Sequence, residues 1–273
     1  MGADMGAKKS AEKGATLVTG ACGGLGGAFV RVLAARGEPL FLTGRSAERL
    51  AALQGELQTE YPALPVQTFA CDLASSAERE ALFAFADGRG VKISRLVYVA
   101  GIDTQKAAEK YTEEKLVMQA RVNFEGAVSL ARMVAERADG ACELLAVGSM
   151  SAASPMPYFA LYSASKKALE QYFVALHSEL RGRAKVTVVL PGGIPTREDI
   201  RENIASHGWF GRVSQLPPET VAVRSLKALS KNRRRVVIGG WNKLLAFLMR
   251  LAPLSWKMRV IARIWSRTEK DAF

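Results

Sequence analysis

Ala15-Thr-Leu-Val-Thr19-Gly20-Ala21-Cys22-Gly23-Gly24-Leu25-Gly26 is the stretch on which the reading of this chain turns. Residues 15–19 are apolar or β-branched and predict a short strand. An amphipathic pattern over Leu25–Arg36 predicts the helix that follows. Between them, Gly20 permits a tight turn, Gly24 lets the backbone approach a bulky anion, and Gly26 lets helix and strand pack closely. The free N–H groups and positive dipole end of the helix then face a diphosphate. Glycine-rich turns are common, and the flanking strand and helix are what give this one a dinucleotide reading.

Working outward, the apolar runs Pro39–Thr43, Val66–Ala70, Arg95–Val99, Glu143–Gly148, Val186–Leu190 and Val236–Ile238 predict further strands. They are apolar throughout rather than alternating, as expected for parallel strands covered on both faces. Helical patterns over Ala47–Glu60, Ala77–Ala86, Glu113–Ala138 and Tyr158–Gly182 lie between them. Strand–helix alternation implies right-handed crossovers, hence an α/β fold with one doubly wound parallel sheet of Rossmann type. A single domain is expected over residues 14–240. A loose N-terminus, 1–13, precedes it and a basic amphipathic helical extension, 241–273, follows.

Composition narrows the classes further. The chain has 273 residues, 49% of them hydrophobic and 23% charged, which excludes disordered and fibrous proteins. Three widely spaced cysteines (Cys22, Cys71, Cys142) form no disulfide framework, so a reducing, cytoplasmic setting is expected. With two histidines, His177 and His207, no metal site is expected. Residues 1–14 lack the apolar core of a signal peptide, and no stretch is long enough to span a bilayer. The net charge of +12 is confined: between Glu219 and Glu269 there are twelve Lys and Arg and no acidic residue. A nucleic-acid enzyme would spread basic charge around its site, so no nucleic-acid partner is expected.

Two constellations carry chemistry. Strand Pro39–Thr43 runs into Thr43-Gly44-Arg45-Ser46, with no acidic residue between Glu38 and Glu48. An acid there would bind a ribose 2′-hydroxyl, whereas the arginine suits a 2′-phosphate, so NADP(H) is the expected cofactor; an ordinary solvated arginine is the alternative. In Tyr162-Ser163-Ala164-Ser165-Lys166 the phenol and the amine are i, i+4 neighbours on one helix face. A nearby ammonium, joined by the charge of an oxidised nicotinamide, favours the phenolate and makes Tyr162 an acid–base group. Ser149 ends strand Glu143–Gly148 at the ligand-binding edge and offers a hydroxyl to the substrate oxygen, ahead of Ser151 and Ser154. Asn123 is a polar residue in a helix-forming stretch.

Together these residues resemble the short-chain dehydrogenase/reductase family over roughly residues 14–240. The resemblance implies a diphosphate loop over Thr19, Gly20, Cys22, Gly24, Leu25 and Gly26, and an adenine contact at Asp72 and Leu73. It implies a catalytic tetrad of Asn123, Ser149, Tyr162 and Lys166, with Ser149 thirteen residues before Tyr162 as is usual in the family. Asn123 would hold a backbone bend and a proton-relaying water, and Lys166 would also bind the nicotinamide ribose. Pro191-Gly192-Gly193-Ile194-Pro195-Thr196 matches the segment that holds the carboxamide. Homodimers or homotetramers through the helices bearing Asn123 and Tyr162 are common in the family. One departure stands out: where the family usually has Asn-Asn-Ala-Gly, this chain has Tyr98-Val99-Ala100-Gly101. The Ala-Gly that borders the nicotinamide ribose is kept, and the asparagine that braces the sheet near the catalytic turn is not.

The function these readings imply is NADP(H)-dependent hydride transfer to or from a carbonyl/secondary-alcohol pair. A hydrophobic substrate, a fatty-acyl, steroid or sphingoid-like ketone, is preferred. A lid is expected over 194–215, where Trp209, Phe210 and His207 either contact substrate or pack the segment down. In the tail, Leu254, Met258, Ile261 and Trp265 recur at helical spacing opposite Arg259, Arg263 and Arg267. This face packs on the body or a second subunit, or lies on a membrane surface. A non-catalytic NADP(H)-sensing module and a peripheral membrane protein on the same fold are the competing classes.

Overall fold

The computed structural model describes residues 14–196 and 214–266. Seven parallel strands form one sheet: β1 (Ala15–Thr19), β2 (Leu40–Gly44), β3 (Val66–Ala70), β4 (Ile93–Tyr98), β5 (Cys142–Val147), β6 (Ala184–Leu190) and β7 (Arg235–Val237). Their order is β3-β2-β1-β4-β5-β6-β7. The expected α/β fold with a doubly wound parallel sheet is therefore present, and each strand lies within two residues of its expected bounds. The order reverses direction between β1 and β4, which pair through Leu17 with Leu96 and Val18 with Val97. The crevice at the carboxyl ends of those two strands is where such sheets bind ligands.

Alternate side chains of the strands feed two separate cores. Leu17, Phe41, Leu96, Leu144 and Val188 point to one face. There they meet α3 (Ser76–Gly88), α5 (Gly126–Arg137) and α6 (Ala160–Glu179). Val18, Leu42, Val97, Leu145 and Val189 point to the other face. They meet α1 (Gly24–Ala34), α2 (Ala47–Glu60) and α7 (Pro218–Ser230). Both faces being covered explains why the strands read as continuous apolar runs.

Within the expected helix Glu113–Ala138, the structure puts α4 (Glu113–Ala120), a π-helical turn at Arg121–Glu125, and then α5. One inserted residue breaks the i→i−4 ladder and re-aims the side chains around Asn123, the usual local effect of a π-bulge. The tail forms two helices, α8 (Gly240–Leu251) and α9 (Leu254–Trp265), parted at Ala252-Pro253 because proline cannot donate to a continuing helix.

Candidate active site

Every strand that the sequence singled out ends at the same edge, and the glycine turn lies there. Gly20 has φ +63°, a left-handed conformation that costs glycine little. A Cβ on Gly26 would stand 2.0 Å from the Gly20 carbonyl oxygen, so only hydrogen fits where helix and turn cross. A Cβ on Gly24 would come within 2.5 Å of the Thr196 Cβ, which sets the Pro191–Thr196 segment directly over the turn. No side chain caps the N-terminus of α1 and no acid lies in its first turn, which leaves its N–H groups and dipole to an anion. Thr19 is turned inward, and its hydroxyl accepts from the Val99 and Ala100 N–H groups at 3.0 and 3.1 Å. It ties the end of β4 to the turn.

Arg45 follows β2 and is exposed, and Ser46 caps α2 by accepting from the Arg49 N–H. The helix start thereby brings in a second cation: Arg49 donates through Nη2 to the Cys22 carbonyl at 2.7 Å, in the glycine turn itself. Asp72 closes a local turn by accepting from the Ala74 N–H at 3.0 Å, and Leu73 is buried beside it. Pro191 accepts from the Met150 N–H, and a Cβ on Gly192 would meet the Ser214 carbonyl at 2.3 Å. Ile194 packs against the core on the α1 side. His207, Trp209 and Phe210 lie outside the described residues.

Asn123, Ser149, Tyr162 and Lys166 converge. Asn123 is fully buried in the π-turn. Its Oδ1 accepts from the Ile102 N–H at 2.7 Å, and its Nδ2 donates to the Ile102 carbonyl at 2.8 Å and to Ser165 Oγ at 3.1 Å. These bonds join the β4 loop to α6. One turn along α6 from Tyr162, Lys166 donates to the Val147 carbonyl at 3.0 Å, and its Nζ lies 5.7 Å from the centre of the Tyr162 ring. The Ser149 side chain neighbours the Tyr162 hydroxyl and acts to lower the phenol, while its Oγ accepts from the Ser151 N–H at 3.1 Å. Its competitors Ser151 and Ser154 are buried, which leaves Ser149 as the hydroxyl beside the phenol. Gly101 borders the pair: a Cβ there would be 3.2 Å from Lys166 Nζ and 3.4 Å from Asn123 Oδ1.

The electrostatics differ from the expectation of a phenol lowered by its lysine. In the protein alone, burial raises the Tyr162 phenol above its ordinary value; the Asp103 carboxylate reinforces this and the Ser149 side chain opposes it. Burial likewise lowers the Lys166 ammonium to about 8, with Asp103 opposing. Desolvation is the dominant cause for both groups. Lys166 still carries its proton at neutrality, and Tyr162 keeps its own.

Several participants went unmarked in the sequence. Phe159 stacks on Tyr162 with ring centres 4.3 Å apart, and Trp265 of α9 stacks on Phe159 at 5.0 Å. Helix α9 therefore ends on an aromatic column whose last member is the phenol. Tyr158, just before it, has φ +63°, a strained conformation for a non-glycine residue of the kind found beside functional sites. Tyr98 replaces the missing asparagine brace: fully buried, it donates its hydroxyl to the Val122 carbonyl in the π-turn. Gly126 makes room for it, since a Cβ there would stand 2.9 Å from the hydroxyl. The departure at Tyr98-Val99 carried the signal that this brace had been rebuilt. Tyr98→Phe is expected to remove that buried hydrogen bond, lowering stability by about 0.5–1.5 kcal/mol and loosening Asn123. Urea midpoints and kcat, both falling together, check this.

An open parallel sheet with a glycine turn at its switch point, and a Tyr–Lys pair on the same edge, defines a dinucleotide-dependent oxidoreductase fold. The chain belongs to the short-chain dehydrogenase family, whose profile matches residues 14–206. It is thus a member of the oxidoreductases that act on alcohol and carbonyl groups with a nicotinamide cofactor. It is 27% identical to the dehydrogenase/reductase SDR family member 7B of Xenopus laevis, with 94% of this chain and 84% of that protein covered. With the Bos taurus protein of the same name it shares 30% identity, over 87% of this chain and 77% of that one. Among solved structures, a 7beta-hydroxysteroid dehydrogenase superposes with a TM-score of 0.80 at 24% identity, covering 92% of this chain and 98% of that chain. The NADPH-dependent 3-quinuclidinone reductase of Rhodotorula rubra superposes at 0.73 and 22% identity, over 86% and 93% of the two chains. At those identities the two structures establish the fold alone.

Proposed function

We propose that the protein is an NADP(H)-dependent oxidoreductase that interconverts an apolar ketone and its secondary alcohol at Tyr162. The observation that carries this is the juxtaposition of Tyr162 and Lys166 on one turn of α6, the Lys166 Nζ 5.7 Å from the ring centre, with Asn123 fixing the loop behind them. A bound nicotinamide dinucleotide supplies or accepts the hydride. Everything else is done by the chain. Ser149 donates to the carbonyl oxygen and positions it. Tyr162, holding its proton at neutral pH, passes it to that oxygen as negative charge develops. The Lys166 ammonium stabilises the phenolate that remains.

The cradle suits a dinucleotide on its own geometry: a glycine-only crossing at Gly20 and Gly26, an uncapped helix N-terminus, and two guanidiniums where an acid would mark the unphosphorylated ribose. Arg45, Arg49 and the N–H groups of α1 would hold the phosphates, and Ile194 and Thr196 would border the nicotinamide. Arg45→Ala is expected to lower the preference for NADPH over NADH by about tenfold to a hundredfold, the worth of one charge-assisted pair. An unchanged ratio of the two Kd values would remove the 2′-phosphate contact.

The aromatic column and the apolar tail support a hydrophobic substrate. One relative, 32% identical over 63% of this chain, bears the name very-long-chain 3-oxoacyl-CoA reductase (Podospora anserina), in keeping with the fatty-acyl option. The thiols of Cys22, Cys71 and Cys142 are all free, which favours a reducing compartment. Assembly as a homodimer or homotetramer would use α4, α5 and α6.

A further inference from the structure

Helix α8 presents its apolar side to solvent. At 3.6 residues per turn, Trp241, Leu244, Phe247, Leu248 and Leu251 fall within one arc of about 120°. They are between 46% and 65% exposed, far above what an apolar stripe on a body-facing helix shows. The side of α8 that meets the protein is a different one. Asn242 is buried there and donates to the Ser214 and Ile238 carbonyls at 3.0 and 2.7 Å, and Ala246 packs against the core. Past the corner at Pro253, Leu254 and Trp256 are exposed too, at 57% and 53%. In α9 the stripe read from the sequence turns inward only past its first turn, through Ile261 and Trp265, while Leu254 stays exposed. The two helices thus divide the roles that the sequence left as alternatives: α9 covers the body, and α8 carries largely exposed apolar side chains on its far face.

Charge identifies what that face fits. Lys243 and Arg250 flank the stripe on α8 and are exposed, and Arg259 and Arg263 are exposed on α9. No acidic residue occurs anywhere between Glu219 and Glu269. A second copy docking through the same face would bring Lys243 and Arg250 against their own equivalents, a like-charge juxtaposition that disfavours a two-fold contact. An anionic bilayer complements both properties at once: phosphates for the cations, and an acyl boundary for Leu, Phe and Trp. Among the described residues no helix is long and apolar enough to cross a membrane, so the geometry is one of lying on the surface.

We infer that the exposed face of α8, with the first turn of α9, docks the protein on an anionic phospholipid surface. The inference stands apart from the catalytic reading, although α9 joins the two by ending on the column at Phe159 and Tyr162. The full chain is expected to co-sediment with phosphatidylcholine vesicles containing phosphatidylglycerol, and about tenfold or more weakly with phosphatidylcholine alone. Raising salt from about 0.1 M to about 1 M shrinks the screening length from roughly 10 to 3 Å and should weaken the binding. The double variant Phe247→Asp/Leu251→Asp is expected to lose about tenfold or more, because it places two carboxylates in the acyl boundary. Both positions are exposed, so its circular dichroism and NADPH affinity should match the parent and separate lost docking from lost fold. Negligible binding of the parent to anionic vesicles would overturn the inference, as would undiminished binding of the double variant. So would a concentration-dependent dimer that the double variant dissolves, which would make the face a contact between copies.

Discussion

Tyr162→Phe is expected to leave NADPH binding nearly intact while lowering carbonyl turnover by about 10²–10⁴-fold, the range of a general acid removed from a positioned site. The ring itself is needed for packing, since it stacks on Phe159 at 4.3 Å, and phenylalanine preserves that stack. Only the hydroxyl disappears, the group that neighbours Ser149. The split between retained cofactor affinity and lost kcat is therefore diagnostic: a loss in both would point to collapse of the column. Substantial turnover by the variant would mean that another group delivers the proton, and Asp103, which raises the tyrosine by its charge, would be the next residue to replace.

The second large effect concerns Lys166, which is buried and whose ammonium is lowered from its ordinary 10.5 to about 8. Between those two pH values the folded protein binds fewer protons here than the unfolded chain. The slope of unfolding free energy with pH is then positive, so this residue's contribution rises from about pH 8 toward 10.5 and its penalty is fully present below pH 8. Lys166→Met removes the penalty. After the lost bond to the Val147 carbonyl is counted, the variant should be roughly 1–3 kcal/mol more stable at pH 7 and flatter across that window. Tyr162 acts in the opposite sense: a phenol raised by folding loses stability once the unfolded phenol ionises above pH 10, so the urea titrations belong below that pH. A stabilised protein with lost turnover would show the lysine to be held at an energetic cost for chemistry. A destabilised one would show that the ammonium is mainly structural.

How much of this was legible beforehand follows from the physics of each part. The sheet was legible because parallel strands buried on both faces write continuous apolar runs. The glycine turn was legible because Gly20 and Gly26 are there for backbone reasons, a positive φ and a 2.0 Å crossing, that no other residue satisfies. Asn123, Ser149, Tyr162 and Lys166 were picked out through ordered spacing that resembles the family's, and the fold brings the four close together. What the sequence did not show arises between segments far apart in the chain. Tyr98 and the π-turn at Val122 are partners across 24 residues, and Gly126 makes sense only once that hydroxyl is seen above it. Trp265 reaches Phe159 from more than a hundred residues away. Nothing in the sequence sets Arg49 apart, and only the folded chain brings its guanidinium to the Cys22 carbonyl. The tail pattern was correct in periodicity and silent on which side faced the body, because amphipathicity gives a stripe and packing decides its direction.

The central claim is that the phenol of Tyr162 and the amine of Lys166 complete a hydride-transfer site beside a bound dinucleotide. It is tested most directly by mixing the purified full chain with NADPH and a panel of acyl, steroid and sphingoid ketones, following nucleotide oxidation and alcohol formation together. Stoichiometric loss of NADPH and gain of alcohol are expected with at least one apolar ketone, and both are abolished in Tyr162→Phe. Tight NADPH binding with no carbonyl in the panel reduced, by parent and variant alike, would contradict it and leave a nucleotide-sensing protein on a dehydrogenase fold.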